Sequence, residues 1–164
     1  MKAIGIDSHH RAFAVDNTFD VGEFKIKVFE VKHDVPAYGF LIKHEGNLCC
    51  FITDTHFVAY RFKGLNNIII ECNYSNEIME QNIADHTIHN VVRNRVLESH
   101  IELQTCKDFL LANDLSHVNN IVLIHLSNGN SNERQFKQEI EALTGKPVHI
   151  ADKGMSINLD KTPF

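Results

Sequence analysis

Apolar and polar positions alternate over Phe24–Val31, with Phe24, Ile26 and Val28 on one face and Lys25 and Lys27 on the other, which predicts a half-buried strand. Two nearly continuous apolar runs follow, 39–43 and 48–53, separated by Glu45-Gly46-Asn47. They predict a hairpin whose strands are covered on both faces. His33 precedes the outgoing strand and Asp54 follows the returning one, so the hairpin carries both to one sheet edge. Further on, 68–70, 121–124 and 148–150 are short aliphatic strands. The helical period returns over 75–83 (Ile78 and Met79 inward), 86–96, and from a Ser99/Glu102 capping box to about 113. The last helix covers 132–144, with Phe136, Ile140 and Leu143 on one side and Gly145 and Pro147 ending it. Residues 2–6 and 13–20 are weaker strand candidates at the N-terminus, and 155–159 is one near the C-terminus. Strands followed by strand–helix units predict an α/β (α+β) chain: a sheet with helices on one face or both.

The totals narrow the classes. The 164 residues fit one domain with a real core, and 43% hydrophobic with 23% charged residues is ordinary for a globular protein. A net charge of −5 argues against a surface that coats nucleic acid non-specifically. The four cysteines show no CxxC pair and are expected to be buried thiols in a reducing, cytoplasmic setting. No apolar run reaches bilayer length and no signal peptide is expected, so no membrane partner is expected.

Eleven histidines and no tryptophan raise the question of a metal. Adjacent His9 and His10 point in opposite directions on an extended chain and read as loop residues. His86 and His89 sit three apart on a helix whose buried side is Ile88, Val91 and Val92, so they read as a solvated face. Three strand ends carry metal-type groups: His33, Asp54 and His125. Each is also compatible with an ordinary loop. Glu71 and Asn73, at the end of the 68–70 strand, are either site groups or a solvated strand end.

His33, Asp54 twenty-one positions later, and His125 in Ile-His-Leu-Ser follow the order of the third, fourth and fifth metal motifs of the metallo-β-lactamase superfamily, which this chain resembles. The resemblance is nearest to its phosphodiesterase and nuclease branch, of bacterial and phage type and related to ribonuclease Z. It includes His33-Asp34 with Gly39-Phe40, Thr53-Asp54-Thr55, Glu71-Cys72-Asn73-Tyr74, Ser99-His100, and His125-Leu126-Ser127 with Asn130-Ser131. It runs from about Phe24 to Leu159, through most of the chain.

The resemblance implies a β-sandwich with flanking helices and a two-metal site for Zn or Mn. His33 would serve one metal, His125 the other, and Asp54 would bridge. His100 and Glu71 take the catalytic positions, His100 orienting or contacting a substrate phosphate. Two departures stand out. Glu102 lies where relatives often carry a serine cap. The His-x-His-x-Asp-His signature that supplies the other ligands is absent from the sequence, so the chain reads as a single, N-terminally truncated partial domain.

One histidine and a shared carboxylate per metal fall short of the three protein ligands that catalytic zinc normally keeps. The expectation is therefore a metal-dependent phosphodiester hydrolase that is poorly active alone, either a degenerate remnant or one half of a split enzyme. The alternative is a catalytically dead binding module, a homodimer or a chain that completes another, because losing one sheet of a sandwich exposes the inner face of the other. A makeshift site completed by His56, or by His9 and His10, is a further possibility.

Overall fold

The computed structural model describes residues 18–85 and 90–160. The expectations for 2–6 and the start of 13–20, and those for His9, His10, His86 and His89, lie outside the described residues. Seven strands form one mixed sheet in sequence order: β1 (Thr18–Val21), β2 (Phe24–Val31), β3 (Ala37–His44), β4 (Asn47–Ile52), β5 (Asn67–Glu71), β6 (Asn120–Ile124) and β7 (Val148–Ile150). β1 to β4 pair antiparallel; β4 to β7 pair parallel.

The β3–β4 hairpin turns at Glu45 and Gly46, both at positive φ (46° and 79°), the two-residue turn that matches strand twist. In β3, Gly39 faces the Phe29 ring across the pair; a Cβ there would lie 2.3 Å from Phe29 Cζ. Glycine thus lets the aromatic ring lie flat on the neighbouring strand.

Three helices, α1 (Asn76–Ala84), α2 (Asn90–Ser99) and α3 (Leu103–Ala112), connect β5 to β6, and α4 (Glu133–Thr144) connects β6 to β7. Ser75 caps α1 and Asn132 caps α4, whose Gly145 closes the end at φ 65°. The cap of α3 differs from the expected box. Glu102 is itself the N-cap, its carboxylate accepting from the Gln104 and Thr105 N–H groups, while the Ser99 hydroxyl donates back to the Arg95 carbonyl at 2.7 Å. A carboxylate both accepts from the orphan N–H groups and meets the positive helix end.

Cys50, Ile52, Ile68, Ile70, Ile121 and Leu123 point to the helix face and pack against Cys106, Leu110, Phe136 and Ile140 in one fully buried cluster. Each buried aliphatic side chain contributes about 1.5–3 kcal/mol. Leu143 does not join Phe136 and Ile140; it is 39% exposed near the end of α4. All four cysteines are buried and free.

On the other face, the ladder pairs align Val28, Phe40, Phe51, Ile69 and Val122 in a row across five strands. Phe40, Phe51 and Ile69 there remain partly exposed. A second sheet of a sandwich is not among the described residues. The expected last strand at 155–159 is absent too. That stretch runs as a tail whose carbonyls at Asn158 and Leu159 accept from side-chain amides, with no backbone ladder. Among the described residues no helix is long and apolar enough to cross a membrane.

Candidate metal centre

The parallel strands β4, β5 and β6 end side by side, and their C-terminal ends deliver Asp54, Glu71 and His125 to one edge. Ligand sites in sheets of this kind lie outside the carboxyl ends of the strands. Asp54 and His125 both hold positive φ, 51° and 57°, a conformation that costs about 1 kcal/mol or more for a residue with a Cβ. The Asn73 amide donates to the His125 carbonyl at 2.7 Å and holds that backbone, and the Thr53 hydroxyl donates to Asp54 Oδ2 at 3.1 Å, orienting its carboxylate.

The Glu71-Cys72-Asn73-Tyr74 segment fixes the loops that surround it. Cys72 N–H donates to the Ile124 carbonyl, Asn73 N–H to Ile101, Ser127 N–H to Asn73 and Leu103 N–H to Tyr74, all at 2.8–3.1 Å. Cys72, Asn73 and Tyr74, buried just past the end of β5, thus find backbone partners on both sides, as buried polar groups must.

Glu71 is the centre of the site. Its side chain is fully buried. Oε1 lies 2.5 Å from His100 Nδ1 and 3.2 Å from His125 Nδ1, and Oε2 accepts from the Thr55 N–H at 3.3 Å. Burial pushes the carboxyl up to about 8, against the lowering effect of the Thr55 hydrogen bond, and the Asp54 charge adds to the rise. Burial likewise pulls the His100 imidazole down, with His125 beside it acting in the same direction. Both shifts disfavour the charged forms of Glu71 and His100.

Asp54, His100 and His125 each present a ligand atom within 4.8 Å of the other two. The His100 and His125 rings meet edge to face at 4.9 Å, and His125 Nδ1 is 3.6 Å from Asp54 Oδ1. The donor chemistry, two imidazoles and a carboxylate backed by a buried carboxyl, fits a divalent transition ion.

His33 stands alongside, its ring centre 6.0 Å from that of His100. Its Nδ1 lies 3.0 Å from the Ser99 carbonyl and its Nε2 3.1 Å from Asp34 Oδ1. The five residues singled out in the sequence therefore share one edge, but the tight cluster holds His100 where His33 was expected. Spacing could not reveal this, because His100 arrives on the three-residue connection between α2 and α3, away from any strand end. His56 is not part of the cluster. Its Nδ1 is buried without a hydrogen-bond partner, and it lines an open cleft of about 640 Å³ with Lys32, His33, Asp34, Phe57 and Tyr60.

No family model and no curated protein sequence matches the chain. Solved structures do. The metallo-β-lactamase fold protein YhfI from Bacillus subtilis aligns at TM-score 0.67 and 16% identity, over 88% of this chain and 54% of that one. Zn²⁺-bound PqqB from Methylobacterium extorquens aligns at 0.65 and 16%, over 90% and 55%. The short form of human tRNase Z aligns at 0.50 and 19%, over 88% and 47%. The chain thus has the metallo-β-lactamase fold, in a mixed α/β form, and spans about half the length of these structures.

Proposed function

We propose that this chain is the part of a metal-dependent phosphodiester hydrolase that carries Asp54, Glu71, His100 and His125, and that it works efficiently only with ligands supplied from outside the described residues. The convergence of Asp54, His100 and His125 on a buried carboxyl carries this reading. A bound divalent ion would supply Lewis acidity and a water of lowered pKa. The chain's own residues do the rest. Asp54 fixes the cation's position, and Glu71 holds both imidazoles in place. His100, whose Nδ1 lies 2.5 Å from Glu71 Oε1, would be the third ligand beside Asp54 and His125. The cleft with Lys32, Phe57 and Tyr60 offers a cation and two exposed aromatic rings, features suited to a phosphate and a stacked base.

The test pairs metal content with turnover. Chain purified in Zn²⁺ or Mn²⁺ is expected to retain metal by elemental analysis, and Asp54→Ala and His125→Ala to lose it. Hydrolysis of bis(p-nitrophenyl) phosphate is expected to be weak alone and to rise on mixing with a fragment bearing the His-x-His-x-Asp-His signature. A metal-free chain at saturating Zn²⁺ and Mn²⁺ would defeat the reading.

A second reading draws on the apolar row Val28, Phe40, Phe51, Ile69 and Val122. An apolar sheet face of this width suits a second layer, from another copy of the chain or from a complementing one. A strictly monomeric chain in sedimentation at micromolar concentration, with or without the signature fragment, would remove it.

A further inference from the structure

Resting on the phosphodiesterase reading above, we infer that Lys25, Lys27, Lys43, Lys63, Arg61 and Lys32, with the Phe57 and Tyr60 rings, form a track for a single-stranded polynucleotide that ends at the metal edge. Lys25 and Lys43 face each other in the β2–β3 register, and Lys27 follows two positions on, paired with Leu41. Alternation places all three on the helix face, beside Leu41 and Leu48, which pack against the core. All three are exposed. Like charges directly opposite each other destabilise a strand pair, and an anion between them relieves the repulsion.

From these lysines the 57–63 segment leads to the site. Tyr60 and Phe62 both pack on the Phe29 ring, with centroids 5.5 and 4.9 Å away, so the segment runs along β2. At one end His56 N–H donates to the Lys32 carbonyl at 3.0 Å. At the other, Asn66 N–H donates to the carbonyl of Leu48, which is in register with Lys43. Arg61 and Lys63 are exposed along the way. Lys32 lies 5.9 Å from the Phe57 ring centre, and both line the cleft with Tyr60 and His33, whose ring centre is 6.0 Å from that of His100. From Lys25 to Lys32 the chain spans about 23 Å, enough for a short single-strand site of about four nucleotides.

Six of the sixteen Lys and Arg residues thus lie on one side of a chain whose net charge is −5. That net charge speaks against a coating surface, not against a local track. Among the described residues none of the six is in an ion pair; the paired lysines are Lys107 and Lys137. Asp20, in register with Lys25, and Asp108, which lines a groove with Arg61, stay beyond ion-pair distance. Phosphates of a strand would meet these cations, and the two rings, 47% and 42% exposed, would take unstacked bases. A duplex keeps its bases from such rings. A bilayer would need the rings at an outward tip, whereas they line a cleft.

The experiment is fluorescence anisotropy of labelled oligo(U) and oligo(dT) strands, about a dozen nucleotides long, with the full chain in EDTA so that metal plays no part. Affinity is expected to fall between about 50 and 200 mM salt with a log–log slope of about −3 to −4, as four to six phosphate contacts require. Lys25→Gln/Lys27→Gln/Lys43→Gln should weaken binding about ten-fold or more at low salt and make the slope shallower by about 2. Phe57→Ala/Tyr60→Ala should weaken it about five-fold or more with the slope unchanged. Lys137→Gln/Lys146→Gln/Lys153→Gln makes the same charge change on the α4–β7 side and should bind like the wild type. Equal losses in the two lysine triples would overturn the track, as would failure of both strands to bind at about 50 mM salt. Binding of phosphatidylserine vesicles but of neither strand would overturn it in favour of a membrane surface. A chain that binds metal and cleaves bis(p-nitrophenyl) phosphate yet binds no strand loses this inference alone. One that binds the strands yet no metal keeps the track and loses the phosphodiesterase reading.

Discussion

The two ends of the same parallel strands carry polar residues of opposite character. At the N-terminal ends of β4, β5 and β6 stand Asn47, Asn67 and Asn120; at or just past the C-terminal ends stand Asp54, Glu71 and His125. The asparagines form a closed ladder. Asn120 donates to Asn67 Oδ1 at 2.9 Å, Asn67 donates to Asn47 Oδ1 at 3.1 Å, and the Leu159 carbonyl accepts from Asn67 at 2.8 Å and from Asn47. Asn66 adds a second tie, accepting from the Leu48 N–H at 2.9 Å. These amide groups are neutral and paired with one another and with the tail.

The other end is built from ionisable groups, two of them held at positive φ, with ligand atoms of Asp54, His100 and His125 within 4.8 Å of one another. Polar residues at strand ends are thus no sign of a site by themselves. A closed, neutral network staples a structure, whereas an open, charged and strained one is poised to bind.

This contrast predicts effects of opposite kind at the two ends. The largest belongs to Glu71→Ala, which leaves both imidazoles without their shared anchor. Metal affinity should fall about 10–100-fold while the helix-face core is untouched, as a Co²⁺ titration beside a denaturant melt would show. An unchanged affinity would mean that Glu71 is a mere structural carboxyl, like the asparagines opposite.

Next is Asn67→Ala at the far end. Removing a fully buried amide leaves the Asn47 and Asn120 side chains and the Leu159 carbonyl short of a partner. Stability should drop by about 1–3 kcal/mol in urea unfolding, with metal affinity unaltered. Loss of metal binding in this variant would erase the distinction between the two ends.

Asp54→Gly should move stability the other way. Glycine relaxes the positive φ at that position, so the variant should gain up to about 1 kcal/mol in the same assay even as it loses metal. A net destabilisation would show that Asp54 is held by contacts worth more than the strain. The smallest effect is expected of His56→Ala. His56 lies on the cleft and outside the ligand cluster, so metal affinity should stay within experimental error. A clear fall would revive a site completed by His56.

Most of the fold was legible in order and type. The strands at 24–31, 68–70, 121–124 and 148–150 follow from local period and branching, and the end of the last helix at Gly145 follows from glycine's freedom at positive φ. The site was legible as a set of residues on one edge, because strand ends and motif order suffice for that. Its internal arrangement was not. His100 reaches the cluster on a connection between two helices, and His33 is tied to the Ser99 carbonyl, 66 residues away in sequence.

What the sequence determined alone is what short-range physics determines: the side-chain period, the turn at Glu45-Gly46, the helix ends, and the supply of histidine and carboxylate at strand termini. Three things were left to tertiary structure. It decided which imidazoles Glu71 orients, that Asp54 and His125 take up positive φ, and that the 155–159 tail binds amides in place of forming a strand. The Glu71 contacts, the His125 backbone and the tail depend on partners dozens of residues away, brought within hydrogen-bond distance by the tertiary packing of the strands and helices. A backbone strain or a shared carboxyl is stable only when such distant contacts hold it.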